Sequence, residues 1–430
     1  MTDNTKIEKI VSLAKQRGFI FQGSEIYGGL AGTWDYGPLG VALKNNIKRL
    51  WWDTFVEKRS DIYGVDAAIL MNEKVWDASG HTGAGFTDPL VECTKCKKRF
   101  REDHLEDATC PSCGGELGEK KDFNLMFETK VGAQGNQKSY LRPETAQGIF
   151  VNFKNVVDTM RPKLPFGIAQ SGKAFRNEIA PRDFVFRSRE FEIMELEYFV
   201  EEKEWESEFS KWQEAIWNWT DSLGLSRENL REVEVEGSDL AHYSKRTVDL
   251  EYNYPGKGFD ELSGLAYRTD HDLKSHQEES GVKMTYTPVE GDPFIPHVIE
   301  PTFGVERALM AVLSESYTED DLGDGRVFLK LSKQLAPIKV AVFPLMKNKP
   351  ELVSKAREVY EELRETIPQV MFDDNGNVGK RYRRQDEIGT PWCVTIDFDT
   401  LEDNTVTLRD RDTGEQKRIA LTALVEALDL

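Results

Sequence analysis

Three short segments hold most of the residues whose types and spacing suit chemistry. The tightest is Cys93-x2-Cys96 followed by Cys110-x2-Cys113, two knuckles whose four thiolates can converge tetrahedrally on one Zn2+. All four positions would be filled, so the metal would be structural; the competing reading is four plain thiols or two disulfides. The fifth cysteine, Cys393, sits in the apolar run Trp392-Cys393-Val394 and reads as core. A second segment runs Phe175-Arg176-Asn177-Glu178, then Phe184 to Arg189, then Glu190-Phe191-Glu192-Ile193-Met194-Glu195. Two arginine-bearing strands joined by a loop can present a guanidinium to a phosphate and a phenylalanine to a purine ring, although a merely charged hairpin face would look the same. The third, Glu300-Pro301-Thr302-Phe303-Gly304-Val305-Glu306-Arg307, reads as a strand-to-helix junction. An arginine in a helix's first turn runs against the macrodipole and asks for an anionic partner.

These segments need elements to hold them. A helix is expected over Ile7–Arg17, stopping at Gly18, then a Gly-rich loop (Gly28 to Gly40), then a long helix over Val41–Phe55 with Leu43, Ile47, Leu50 and Trp51 at helical spacing. Residues 86–122 turn polar, Cys-rich and Gly-rich, the texture of a small inserted module. Residues 164–200 read as antiparallel strands linked by a loop. The aromatic stripe Trp205, Phe209, Trp212, Ile216 and Leu223 reads as the core face of a helix inside a helical or mixed insertion over about 201–290. After the acidic, Gly-bearing stretch Thr318–Gly325, the chain from about Pro337 has the alternation of a small α/β unit: strand 338–343, helix 352–366, a strand near Val370, a basic helix near Arg381, strand 392–396, a hairpin at Asp412-Thr413-Gly414 and a last helix at 421–428.

Length fits this division, since 430 residues at about 150 per domain suggests two or three domains. With 30% charged residues, no apolar run long enough to span a bilayer and no signal or transit peptide at the start, the expectation is a cytoplasmic protein without membrane association. A net charge of -19 speaks against binding nucleic acid with the whole surface but leaves room for a local basic patch. Lys380, Arg381, Arg383 and Arg384, with Tyr382 among them, form the densest basic cluster; the alternative is a solvated helix face.

The three segments, in this order, resemble the motifs of class II aminoacyl-tRNA synthetases. Gly37-Pro38-Leu39-Gly40 before a long helix is similar to motif 1, Phe-Arg-Asn-Glu with the arginines after it to motif 2, and Gly304-Val305-Glu306-Arg307 to motif 3. Within that class, the Gly28–Gly40 stretch, Leu141-Arg142-Pro143-Glu144-Thr145-Ala146-Gln147-Gly148 and the segment around Glu300 resemble the homodimeric glycine enzymes, over essentially the whole chain. The resemblance implies an α+β fold: a mainly antiparallel sheet flanked by helices in a catalytic domain (1–335), a zinc-ribbon-like insertion (86–122) and a C-terminal anticodon-binding domain (336–430). It implies that Arg176 holds the α-phosphate and the entering carboxylate, Glu178 the adenine amino group, Arg187 or Arg189 the outer phosphates and Arg307 the γ-phosphate, with Phe191 stacked on adenine. Asn177, Phe186, Ser188, Glu190, Leu262, Gly304, Val305 and Glu306 complete the implied ATP site, and Glu261 is the implied Mg2+ ligand. His276 reads as structural.

For glycine the implied residues are Arg101, Glu144, Phe191, Glu192, Ile193, Met194, Glu195, Glu300, Pro301, Thr302, Phe303 and Gly304; Thr302 stands where relatives commonly carry serine. The chemistry is reasonable, because a substrate with no side chain needs a narrow, acidic pocket, and every competitor is larger and is rejected sterically without an editing domain. The expected reaction is glycine activation by ATP and Mg2+, then transfer to the 3' end of tRNA(Gly), by a homodimer whose motif 1 helix meets its own copy through the Leu43, Ile47, Leu50 and Trp51 stripe. The Lys380, Arg381, Arg383 and Arg384 patch would read the anticodon. The alternatives are another synthetase sharing this C-terminal domain (histidine, threonine or proline) or a non-catalytic, synthetase-like accessory protein that binds nucleic acid.

Overall fold

The computed structural model describes all residues except 1, 2, 106, 136, 182, 238, 239, 242, 322–324 and 430. At its centre is a seven-stranded sheet, antiparallel except at one edge. In spatial order the strands are Leu230–Glu234, Arg246–Tyr254, Gly258–Thr269, His297–Gly304, Glu190–Val200, Phe166–Phe175 and the short parallel edge strand Ile62–Gly64. Residues 201–290 are therefore not an insertion: they supply three strands of this sheet, and their aromatic helix, Trp205–Leu223, packs on its back. Turn and strand signals in that stretch were diluted by charge, and only pairing with His297–Gly304 shows where the strands belong.

One face of the sheet is apolar and covered. Phe303 meets Trp51 at 5.9 Å and Trp219 at 4.8 Å, and the helices Pro38–Trp52, Trp205–Leu223 and Val305–Ser316 bury the layer between them. The helix expected at 41–55 begins at Pro38, whose fixed φ suits a first turn, and ends in a π-helical turn over Asp53–Glu57. Leu43, Ile47 and Trp51 are fully buried in this core. The apolar stripe is thus satisfied inside its own chain and is not available to meet a second copy, contrary to expectation. The Gly-rich loop also carries more structure than its composition suggests, since Trp34–Tyr36 pairs with Ile20–Gln22.

The other face is covered at one end, where Phe166, Ile168, Phe199 and Val298 are buried against Ile149, Phe150 and Phe153, and is open over the rest. Side chains alternate along a strand, so cross-strand register sets a row on that face: Asp249 opposite Gly264, Gly264 opposite Thr302, Thr302 opposite Glu195, Glu195 opposite Gln170. A register shift between Leu250 and Glu251 pairs Glu251 with Glu261 and leaves Leu262 as the extra residue. Such a bulge reverses the alternation, so Glu261 and Gly264 share the open face while Leu262 is buried on the other.

Residues 87–124 form the small module, a three-stranded sheet (Arg99–Arg101, Thr87–Glu92, Lys121–Asn124) capped by the cysteine loops. After the paired strands Tyr317–Asp320 and Arg326–Leu329 comes a five-stranded sheet in the order Val370–Phe372, Val340–Pro344, Trp392–Ile396, Thr405–Asp410, Gln416–Ala420. Helices Pro350–Thr366, Val378–Glu387, Phe398–Asp403 and Leu424–Leu428 belong to that unit, and Cys393 is buried in it. The buried Asp386 accepts from Arg409 at 2.8 Å and Arg326 at 3.2 Å, tying the two parts of the chain together. Among the described residues no helix is long and apolar enough to cross a membrane.

Candidate active site

Two adjoining cavities open on the polar face of the sheet, of about 250 and 230 Å³, and Arg176, Glu261 and Thr302 line both. The first is walled by Arg101, Glu178, Phe186, Arg187, Ser188, Phe191, Ile193, Gly304 and Arg307. The second is walled by Glu144, Glu195, Tyr243, Thr247, Asp249, Gly264, Ala266 and Glu300. A larger, mostly apolar hollow of about 700 Å³ lies behind Phe186, against the N-terminal helix, lined by Trp34, Phe184, Phe186 and Tyr254 together with Glu8, Lys15, Asp183 and Lys257.

The arginine-lined cavity is built from the loop between two paired strands and from the first turn of the Val305–Ser316 helix. Arg176 lies between the Phe86 and Phe191 rings, 5.6 and 5.4 Å from their centroids, with Nε donating to Pro143 O at 3.1 Å. Stacking and one backbone bond aim the guanidinium while leaving donors for a ligand. Arg307 lies over Phe186 and pairs with Glu261 Oε2 at 2.7 Å. Arg307 in turn holds the Glu261 carboxyl below its ordinary range, against its burial. Glu178 is buried, 3.5 Å from Arg187, and its Oε2 has no hydrogen-bond partner.

Several expected ATP-site residues point elsewhere. The Arg189 guanidinium is spent on the carbonyls of Ala31 (2.8 Å) and Glu178 (3.0 Å), which leaves Arg187 as the loop arginine on the cavity. Glu190 is paired with Lys173 at 2.7 Å on the rim strand. Asn177 is fixed through its N–H to Leu125 O and lies outside the lining, and Leu262 and Val305 are buried in the core behind the sheet. Glu306 touches the cavity wall, but its carboxylate turns away to accept from Tyr36, Lys44 and the Glu192 N–H.

The second cavity is anionic. Glu195 accepts from the Thr145 N–H (2.9 Å) and hydroxyl (2.6 Å) and from the Thr302 hydroxyl (3.3 Å). Glu300 and Asp272 grip the fully buried Arg268 at 2.8 and 2.7 Å. Glu144 accepts from Gln147 at 3.0 Å and lies 3.2 Å from His81 Nε2. Burial, with Glu195 and Glu144 nearby and only Arg268 opposing, pushes the Glu300 carboxyl up to about 8. Burial raises Glu195 as well, and Asp249, beside Glu261, is pushed up to about 7. Glu197, buried beneath them with both oxygens unpartnered, is raised well above its usual value. A cavity holding more carboxyl groups than cations is poised to take a small cation. A Cβ on Gly264 would project to 3.4 Å from Asp249 Oδ1, so glycine there keeps the cavity open.

Strand alternation removes two of the five residues from each of the expected glycine-site blocks, 191–195 and 300–304. Phe191, Ile193 and Glu195 face the cavities; Glu192 and Met194 face the opposite layer, where Glu192 pairs with Lys44 (2.8 Å) and Lys48 (2.7 Å). Likewise Glu300, Thr302 and Gly304 face inward, whereas Pro301 lies outside the cavity lining and Phe303 packs on Trp51. Arg101 lines the first cavity rather than the second, held by Asp88 at 2.9 Å. Sequence reading missed Tyr243, Thr247, Asp249 and Gly264; the period-two pair Thr247 and Asp249 was the available signal.

The expected basic patch is mostly consumed. Arg381 is fully buried, donating to the carbonyls of Pro344, Asp374 and Gly376. Arg384 pairs with Asp373 at 2.7 Å, and the Tyr382 hydroxyl is engaged with Thr395 while its ring meets Phe343 edge-on. Lys380 and Arg383 remain exposed.

At the tip of the module, the four Sγ atoms of Cys93, Cys96, Cys110 and Cys113 lie within 4.8 Å of one another, two pairs at 3.6 Å. That is far beyond a disulfide bond of about 2.05 Å and close to the edge of about 3.8 Å that Zn–S bonds of about 2.3 Å produce in a tetrahedron. The cluster is compatible with zinc, and it lies apart from both cavities.

Residues 127–316 match the family described as tRNA synthetase class II core domain (G, H, P, S and T), and residues 339–429 match the anticodon binding domain family. Curated relatives named glycine–tRNA ligase are similar over nearly the whole chain. The one from Caldanaerobacter subterraneus subsp. tengcongensis is 51% identical over 98% of both chains. Those from Alkaliphilus oremlandii (50%, covering 100% of this chain and 99% of the relative) and Thermobifida fusca (48%, covering 98% and 97%) are alike. The chain belongs to the glycine–tRNA ligase family. The class II fold is shared with a structure described as Giardia lamblia prolyl-tRNA synthetase in complex with prolyl-adenylate, at TM-score 0.72 and 15% identity, covering 100% of this chain and 79% of that one. In this member of the glycine–tRNA ligase family the two cavities stand on the open part of one sheet face, and the segments resembling motifs 2 and 3 meet around the first.

Proposed function

We propose that the protein joins glycine to the 3' end of tRNA(Gly) in two steps, glycyl-adenylate formation and transfer. The observation that carries this reading is the pair of cavities meeting at Arg176, Glu261 and Thr302, one lined by arginines and aromatics and one small and anionic. ATP lies in the first: Phe191 stacks on adenine, Glu178 accepts its amino group, Arg187 and Arg307 hold the outer phosphates and Arg176 the α-phosphate. Glycine lies in the second, its ammonium among Glu144, Glu195 and Glu300 and its carboxylate toward Arg176. Attack of that carboxylate on the α-phosphorus needs no protein nucleophile; the chain's contribution is alignment and preorganised positive charge. Class II synthetases use ATP with Mg2+ generally, and the ion adds neutralising charge on the phosphates. Glu261, which lines both cavities, is the carboxylate that would hold it. The four cysteines hold a structural Zn2+.

The division of labour follows the fold: a catalytic part to about residue 335, carrying both cavities, and an anticodon-reading part after it, with Lys380 and Arg383 as its exposed cations. The dimer we infer uses the exposed Ile26 and Tyr27, just before the Gly-rich loop, and Leu30 within it, rather than the buried stripe. A cytoplasmic address suits four thiols kept reduced. The test is ATP–pyrophosphate exchange across the amino acids. Exchange stimulated by glycine alone is expected; stimulation by histidine, threonine or proline instead, or none at all, would sink the reading.

A further inference from the structure

We infer that His81 is a positioning residue of the amino-acid cavity, its Nε2–H orienting the Glu144 carboxylate and tying it to the cysteine-bearing module. This rests on reading that cavity as glycine's. Nothing in Gly80-His81-Thr82-Gly83 marks the histidine as functional, and it lies outside every motif-like segment. In the fold it is buried with both ring nitrogens engaged: Nε2 lies 3.2 Å from Glu144 Oε2 and Nδ1 lies 2.7 Å from Ser79 Oγ.

The proton count around the ring is restrictive. Ser79 Oγ also lies 3.3 Å from Trp76 O. If the hydroxyl donates to Nδ1, a neutral ring carries its proton on Nε2 and donates to Glu144. If the hydroxyl donates to Trp76 O, Nδ1 must itself carry a proton, and Nε2 meets the carboxylate favourably only in the imidazolium form. In both arrangements an Nε2–H faces Glu144.

Support comes from the module and from the segment that leads into it. Asn124, ending the strand Lys121–Asn124, donates to His81 O at 2.8 Å, and the Trp76 and Phe86 rings lie 5.5 and 4.8 Å from the imidazole. Gln147 fixes the other Glu144 oxygen. Held at both oxygens, the carboxylate presents its remaining lone pairs in one direction, as a ligand for an ammonium requires.

The experiment measures glycine and ATP KM separately in pyrophosphate exchange for the wild type, His81→Ala and His81→Gln, with zinc content and thermal melting recorded for each. Losing a charge-assisted donor should raise the glycine KM about tenfold in His81→Ala, with ATP KM and kcat within about twofold. His81→Gln, which keeps an N–H donor, should recover part of the loss. An unchanged glycine KM, or both KM values rising alike with glutamine no better than alanine, overturns the inference. Proton NMR of the intact protein gives an independent readout. A hydrogen-bonded imidazole N–H resonance should be absent in His81→Gln and shift in Glu144→Gln, and indifference to Glu144→Gln overturns the pairing. Should the wild type exchange no glycine while that resonance responds to Glu144→Gln, the functional reading of the cavity falls and the His81–Glu144 geometry stands.

Discussion

Two arginine-bearing regions of this chain meet opposite fates. The guanidinium groups of Arg176 and Arg307 rest on aromatic rings and, with Arg187, line a cavity. Around Arg381 and Arg384 they are consumed by backbone carbonyls and by Asp373, and only Lys380 and Arg383 of that cluster are exposed. What a basic residue can bind depends on which donors the fold leaves unspent. Stacking on a ring orients a guanidinium without using its N–H groups, whereas a loop that needs its carbonyls satisfied uses them up.

The sharpest way to break this comparison is to remove one arginine from each region. Arg176→Ala or Arg307→Ala should cost about 3 kcal/mol or more of transition-state stabilisation, a hundredfold or greater loss of pyrophosphate exchange, while tRNA binding stays intact. Near-normal exchange in either variant would remove that residue from the phosphate site. Arg381→Ala should act on stability instead, losing on the order of 3 kcal/mol because the carbonyls of Pro344, Asp374 and Gly376 lose a buried donor. Denaturant unfolding should show the C-terminal unit melting early with exchange nearly unchanged. Full stability in Arg381→Ala with weakened tRNA binding would restore the expected recognition role.

A smaller effect separates the two cavities by pH. Burial pushes Glu300 up to about 8, and an entering ammonium favours its ionised form, so binding glycine costs a proton below that value. The glycine KM should therefore fall as pH rises from about 6.5 to about 8 and then level, by several-fold at most. The ATP KM, governed by arginines that do not titrate there, is the control. A glycine KM flat over that range would show that Glu300 is already ionised. The smallest change expected is for Lys380→Ala/Arg383→Ala, a rise of about two- to threefold in the tRNA KM at moderate salt, with a salt slope shallower by about one to two. Measuring that KM at two salt concentrations, with exchange as the control, decides whether these exposed cations meet phosphate at all.

Much was legible in the residues alone. The spacing of Cys93, Cys96, Cys110 and Cys113, the helix over Trp205–Leu223 and the order of elements after Pro337 are local matters, fixed by ligand geometry, by helical period and by the alternation of strand and helix. The ordered triple of motif-like segments identified the class. What only the tertiary structure decided is which members of each segment face the ligand. A run such as Glu190–Glu195 cannot enter a cavity whole, because a strand sends neighbours to opposite faces; Glu195 meets Thr302 while Glu192 meets Lys44. The bulge at Leu262 then reverses that alternation and brings Glu261 to the same face as Gly264, and no periodicity in the sequence announces it. The burial of the Leu43, Ile47 and Trp51 stripe and the capture of Arg381 are decisions of the same kind. An apolar stripe or a guanidinium states what it needs, but the fold settles whether that need is met within the chain.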